Sequence, residues 1–338
     1  MILVTGGTGL VGSHLLFKLV SNGETVRAIY RRDHKLKTVK HVFSYYSDDS
    51  ESLFNSIEWV KANINDIPAL QLAFKDVDFV YHCAAFVSFE PDKFDVLRKI
   101  NIEGTANIVN LSLSFNVKKL CFVSSIAAIG EQPNSKDLIT EQTPWDSEKD
   151  NSVYAISKYG AELEIWRGTQ EGLDAVIINP GVILGPGYWH GGSSGSFFKR
   201  IHKGMSHYTE GITGYVDIWD VVNPMLKLMP SNIKNEGFIL ISENLSFKKF
   251  IENVATELHV KSPKKKASLF LLSVAWRLDW LSHKLFGKRR QLSKQVANTA
   301  HSITKYDNSK IRTALNYEFK SLDISIKDTC KFYLKDLK

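Results

Sequence analysis

At 338 residues, with 43% hydrophobic and 23% charged side chains and no low-complexity tract, the chain is not collagen-like, disordered or a small disulfide scaffold, and it can bury a substantial core. Three widely spaced cysteines, Cys83, Cys121 and Cys330, and ten scattered histidines show no metal-ligand spacing, so neither disulfides nor a metal site is expected. The formal charge of +7 favours anionic ligands without choosing among phosphates, nucleic acid and acidic lipid.

A first strand is predicted at residues 2–5 and runs at once into Thr5-Gly6-Gly7-Thr8-Gly9-Leu10-Val11-Gly12. So early a strand leaves no room for a signal or transit peptide, and a cytoplasmic protein is expected. Glycines at 6, 9 and 12 sit between a strand and a helix. Gly6 suits the tight turn, Gly9 lets backbone approach a pyrophosphate, and Gly12 lets helix and strand pack closely; the helix N-terminus offers free N–H groups to phosphate. Thr8, Leu10 and Val11 belong to the same turn, which reads as a dinucleotide site. At the end of the second strand, 25–30, a carboxylate normally accepts the ribose 2′-hydroxyl. Tyr30-Arg31-Arg32 stands there instead, and a guanidinium suits a 2′-phosphate, so NADP (NADPH) is expected ahead of NAD. The alternative is a pair of solvated surface arginines; Arg27 shows how common basic residues are in this chain.

Further strands predicted at 79–82, 120–124 and 175–179 are almost continuously apolar. They alternate with helices at 11–21, 68–74, 92–115 and 153–169, the order of a parallel sheet covered on both faces. His82, at a strand end beside the glycine turn, reads as structural rather than catalytic. Tyr154 and Lys158 lie four residues apart on one helix face, where an ammonium favours phenolate and brings acid–base work toward neutral pH. Ser125, just past the strand at 120–124, is placed to share a substrate oxygen with the tyrosine.

Taken together, Thr5 to Gly12, Asn63-Ile64-Asn65-Asp66, Val80 to Ala85, Asn101 to Thr105, Val123 to Gly130, Tyr154 to Lys158, Asn179 to Gly185 and Tyr215 to Val222 resemble the extended short-chain dehydrogenase/reductase superfamily. The pattern is most similar to its dihydroflavonol-reductase-like and aldehyde-reductase-like members. The resemblance implies an α/β fold, a Rossmann-type doubly wound parallel sheet with a smaller C-terminal α+β substrate domain. Residues 1–180 would hold the cofactor and catalytic groups, and 181–338 mainly the substrate, with some segments returning to the sheet. It implies that Tyr154 protonates a carbonyl oxygen, that Lys158 lowers its pKa and contacts the nicotinamide ribose, and that Ser125 orients the substrate. Asn101 is read either as part of a proton relay or as a structural helix residue. Ala84 and Ala85 would line the cofactor, and Pro180 to Val182 would pass the nicotinamide. Asn63, followed by Ile64, stands where relatives carry an aspartate that meets adenine. The helices at 92–115 and 153–169 form dimer interfaces in many relatives, so a homodimer is an expectation to test.

For the substrate, two departures from nucleotide-sugar epimerases matter. Val182 replaces an asparagine that binds the sugar nucleotide, and Thr213 replaces an arginine that meets its diphosphate. The loop 187–195, with Tyr188 and Trp189, reads as a lid suited to an apolar or aromatic compound. The expected activity is NADPH-linked reduction of a small ketone or aldehyde by Tyr/Lys/Ser-assisted hydride transfer. Alternatives are a nucleotide-sugar epimerase or dehydratase, a 3β-hydroxysteroid-dehydrogenase-like enzyme and a non-catalytic NADP-binding sensor. No nucleic-acid motif accompanies the basic runs, so no nucleic-acid partner is expected. Residues 268–281 are apolar, aromatic and flanked by Lys264-Lys265-Lys266 and Lys288-Arg289-Arg290. The stretch is too short and interrupted to span a bilayer. Helices covering the substrate domain are expected there, ahead of membrane-surface contact through 261–290.

Overall fold

The computed structural model describes residues 1–132, 137–190, 194–286 and 294–337. Its strands are β1 Ile2–Thr5, β2 Val26–Tyr30, β3 Glu58–Lys61, β4 Phe79–His82, β5 Lys119–Val123, β6 Ala175–Pro180, β7 Val182–Leu184, β8 His207–Tyr208, β9 Ile212–Asp217, β10 Glu236–Leu240, β11 Glu243–Ser246 and β12 Lys265–Lys266. Seven of them form one parallel sheet in the order β10-β6-β5-β4-β1-β2-β3, a Rossmann-type α/β fold. The strand order turns back between β1 and β4, and such a switch opens a crevice at the carboxyl ends of the strands.

Strands β1, β5 and β6 are buried along their whole length, as strands covered on both faces must be. Alternate side chains serve opposite cores. Ile2, Val4, Cys121 and Val123 pack on one face against Leu15, Leu16 and Leu19 of the helix Leu10–Ser21 and against Val221, Val222 and Met225. Leu3, Leu120 and Phe122 pack on the other, against Leu70, Ile108 and Ile165. Arg27 is an exception inside β2. Its guanidinium leaves the sheet to donate to the carbonyls of Ala73 and Lys75 and to pair with Glu58, which makes it structural.

Several elements differ from expectation. Strand β3 was missed because it is the sheet edge, with exposed ends and no apolar run. The helices Leu36–Phe43 and Ser50–Asn55, which fill the crossover between β2 and β3, were also missed. The helix expected at 92–115 is broken into a 3₁₀ turn, a short α segment Phe94–Leu97, a π-helical stretch Arg98–Glu103 and the helix Gly104–Ser114. Residues 236–240 return to the large sheet, where β10 lies parallel to β6.

A smaller sheet, β11-β9-β7, lies beyond residue 181 over a separate core that includes Trp189, Phe198, Tyr215, Phe250 and Tyr333. All of the segment 268–281 but Ser268 falls within one helix, Leu269–Phe286. None of its side chains is fully buried, and Leu272, Ala275 and Trp276 are half-buried. Among the described residues no helix is long and apolar enough to cross a membrane.

Candidate active site

The glycine turn is held as the sequence requires. Gly6 has φ +69°, and a side chain there would strike the backbone of Ala84 at 2.5 Å. A methyl on Gly12 would come within 2.2 Å of the Gly6 carbonyl. Gly9 donates to that same carbonyl at 2.9 Å and precedes the helix Leu10–Ser21, whose first turn has neither a side-chain cap nor an acidic residue. Thr8 lies in the turn, and its carbonyl accepts a hydrogen bond from the Tyr188 hydroxyl at 3.0 Å. Leu10 and Val11 pack partly against the core beneath. An uncapped helix start with close backbone approach fits a pyrophosphate.

Around the turn, Ala84 N–H donates to Thr5 Oγ1 at 3.2 Å, tying the β4 loop to β1, and Ala85 follows, half-buried. His82 is fully enclosed between the hydroxyls of Thr5 and Thr105, at 2.6 and 3.0 Å. Burial, with help from the Lys158 charge, pulls its pKa down to about 3, so it stays neutral and structural. Asn63 is exposed and its side chain accepts from the Asn65 N–H, whereas Ile64 is buried and packs toward Gly104. Tyr30 ends β2, with Arg31 and Arg32 exposed just beyond it. Asp33, a carboxylate that the sequence reading passed over, is held by Lys61 at 2.7 Å. Arg31 and Arg32 form no ion pair among the described residues.

The structure brings Ser125, Tyr154 and Lys158 together. Ser125 leaves β5 in extended conformation and caps a 3₁₀ turn by accepting from the Ala127 N–H at 3.1 Å. Ser152 caps the helix Val153–Gln170 through the Ala155 N–H, which fixes Tyr154 and Lys158 in its first two turns. Tyr154 is buried, hydrogen-bonded with Ser125, and flanked by the Phe89 ring at 5.2 Å. Burial pushes the phenol up to about 12, and the bond with Ser125 offsets only part of this. Burial thus opposes the lowering that the sequence leads one to expect from Lys158. Lys158 itself is pulled down to about 8 by burial. Its ammonium donates to the Val123 carbonyl at 2.8 Å and sits over the Phe122 ring.

Asn101 lies in the π-helical stretch, buried, with its amide donating to the Phe86 carbonyl and Ser157 Oγ at 2.9 Å and accepting from the Phe86 N–H at 2.7 Å. Those bonds make it a positioning residue for the 84–89 segment. Pro180 ends β6 and is buried; Val182 starts β7, half-buried and paired with Tyr215. Glu162 is absent from the sequence reading, and Asn179, which opens one of the matched stretches, had no role there. Asn179 donates to Glu162 at 2.6 Å and to the Ser125 carbonyl at 3.0 Å, so a buried polar bridge steadies the serine from behind. Glu162 falls one turn after Lys158, the only hint the sequence held.

The proposed lid is corrected in part. Trp189 is packed in the C-terminal core and donates to Asp336 at 2.6 Å, and Tyr188 reaches the glycine turn. Residues 191–193 of that loop lie outside the described residues, as do Lys288-Arg289-Arg290.

Residues 2–238 match the family described as NAD dependent epimerase/dehydratase. The chain belongs to that family. Its relatives include a putative dihydroflavonol 4-reductase of Synechocystis, 28% identical over 81% of this chain and 77% of that protein. The cinnamoyl-CoA reductase CAD2 of Medicago truncatula is 25% identical over 97% and 94%. In fold, the chain is similar to a UDP-glucose 4-epimerase of Thermotoga maritima, with TM-score 0.77 and 23% identity over 100% and 99% of the two chains. Within the epimerase/dehydratase family this protein is an NAD(P)-dependent oxidoreductase of the extended short-chain type.

Proposed function

We propose that this enzyme reduces a small, apolar or aromatic ketone or aldehyde with NADPH. The observation that carries the reading is the buried phenol of Tyr154 hydrogen-bonded with Ser125 beside the Phe89 ring: an acid and an orienting hydroxyl next to an aromatic face. Ser125 and Tyr154 would converge on the carbonyl oxygen, and Tyr154 would give it a proton. The cofactor would rest on Gly6, Thr8, Gly9, Leu10, Val11 and Gly12, with Ala84, Ala85, Asn63, Pro180 and Val182 around it, and would supply the hydride. Arg31 and Arg32, exposed beyond β2 where the neighbouring Asp33 is paired with Lys61, support a ribose 2′-phosphate and so NADPH over NADH. Val182 and Thr213 offer no charge-assisted partner to a sugar nucleotide diphosphate, and a poorly partnered phosphate is costly to bury. The name of the dihydroflavonol 4-reductase relative agrees with this substrate class, whereas cinnamoyl-CoA names an aromatic thioester. A homodimer is proposed through the faces that carry Val96, Ile156 and Leu163, which are exposed.

The test is NADPH oxidation across a panel of aldehydes and ketones, run beside calorimetry with UDP and UDP-glucose. Turnover of an aromatic carbonyl supports the reading. Micromolar UDP binding without any carbonyl turnover would transfer the site to the epimerase reading.

A further inference from the structure

The helix Leu269–Phe286 carries five aliphatic residues, Leu271, Val274, Leu278, Leu281 and Leu285, between 38% and 63% exposed. Their alternating spacing of three and four residues draws a single stripe along one helix face. Phe270, 78% exposed, opens the stripe. Leu272, Ala275 and Trp276 are half-buried and turn the other way. On that side the helix meets 294–299, and His283 acts on the Asp92 carboxylate. An outward apolar face of this length marks an interaction surface rather than ordinary scatter.

Charge selects what covers it. Residues 261–290 hold nine lysines and arginines against one acid, Asp279, a net +8 in a chain whose total is +7, so everything else together carries −1. Lys261, Lys264 and Lys265 are exposed just before the helix, and Arg277 and Lys284 are exposed along it.

We propose that the helix Leu269–Phe286 docks in the plane of an anionic membrane surface, with its leucine stripe at the headgroup boundary and its flanking cations on acidic lipid. The same pattern argues against pairing with a second copy. If Leu271, Leu278 and Leu285 alternated with Val274 and Leu281 as a coiled-coil seam, the positions beside it would be Arg277, Lys284, Ala275 and Ser282. A second copy therefore brings cations and no carboxylate to the seam, whereas paired coiled coils use opposite charges there. The inference is independent of what the active site reduces.

The experiment floats the full chain with vesicles of phosphatidylcholine alone, or with roughly one-third phosphatidylserine, at about 0.1 M and about 0.5 M salt. Expected is association with the anionic vesicles only, weakened by salt. Leu278→Glu with Leu281→Glu should abolish it. Charge reversal at Lys261, Lys264 and Lys265 should weaken it by at least roughly tenfold, from what each basic residue contributes near an acidic surface. All five positions are exposed, so melting temperature and circular dichroism should be unchanged. The proposal is overturned if the native chain fails to float with anionic vesicles, or if the leucine variant floats as well as the native chain. A dimer seen by light scattering that the same leucine variant dissolves would also overturn it, giving the face to a second copy.

Discussion

Because burial outweighs every other influence on Tyr154 and pushes it up to about 12, the side chain carries its proton at pH 7. Tyr154→Phe keeps the ring and removes that proton, so turnover should fall by roughly 10²–10⁴ while NADPH still binds. An undiminished rate in a stopped-flow assay would move the chemistry elsewhere. Lys158 makes a second, thermodynamic prediction. Its folded value of about 8 lies below the ordinary 10.5, so between those values the unfolded chain holds the proton more tightly. The contribution of Lys158 to stability should therefore rise as pH increases from 8 toward 10, by on the order of a few kcal/mol at most. Lys158→Met should lack that rise in urea titrations, and equal slopes for the two proteins would contradict it. At the cofactor end, Arg31→Glu should weaken NADPH far more than NADH in fluorescence titration, since the carboxylate would repel a 2′-phosphate. Equal losses would remove Arg31 from the ribose site.

The elements show why some of the site could be read from the chain and some could not. Gly6, Gly9 and Gly12 were legible because close approach excludes a side chain, and Tyr154 and Lys158 because helical spacing is local. Glu162 and Asn179 were hidden because their bond joins a helix to β6, a proximity that no spacing within either element encodes. Likewise, periodicity could not show that the run expected at 92–115 winds into a π-helical stretch, which turns Asn101 inward onto the Phe86 backbone. Asn101→Ala removes three bonds and leaves the Phe86 amide and carbonyl without partners, at a cost of about 1–3 kcal/mol for each polar group stranded. The effect on catalysis should appear in kcat with substitution by Gln, which keeps both a donor and an acceptor, partly rescuing it, and a change confined to melting temperature would make Asn101 purely structural. Trp189 was misjudged for the same non-local reason: its aromatic character suited a lid, yet its partners Phe198, Tyr333 and Asp336 lie elsewhere in the chain.

At the scale of the molecule, alternation of apolar strands and helices was enough to recover the parallel sheet, except at its edge. There β3 is half-wetted and carries no apolar signature. Exposed Leu163 and Val96 give the proposed homodimer its own check, since Leu163→Glu should convert a dimer to a monomer in analytical ultracentrifugation. The strand order has a further effect. Strand β10 docks on β6 across more than fifty intervening residues, and Lys119 ties β5 to the carbonyls of Leu228 and Ser231. During synthesis the nascent sheet therefore has a raw hydrogen-bonding edge at Val176 to Asn179 until about residue 240 has left the ribosome. An exposed buried-type edge is a template for misassembly, and such sequence-distant pairing closes slowly. A gene cut at residue 180, however tidy on paper as a dinucleotide-binding half, should give inclusion bodies, whereas one cut after residue 240 retains the closing strand.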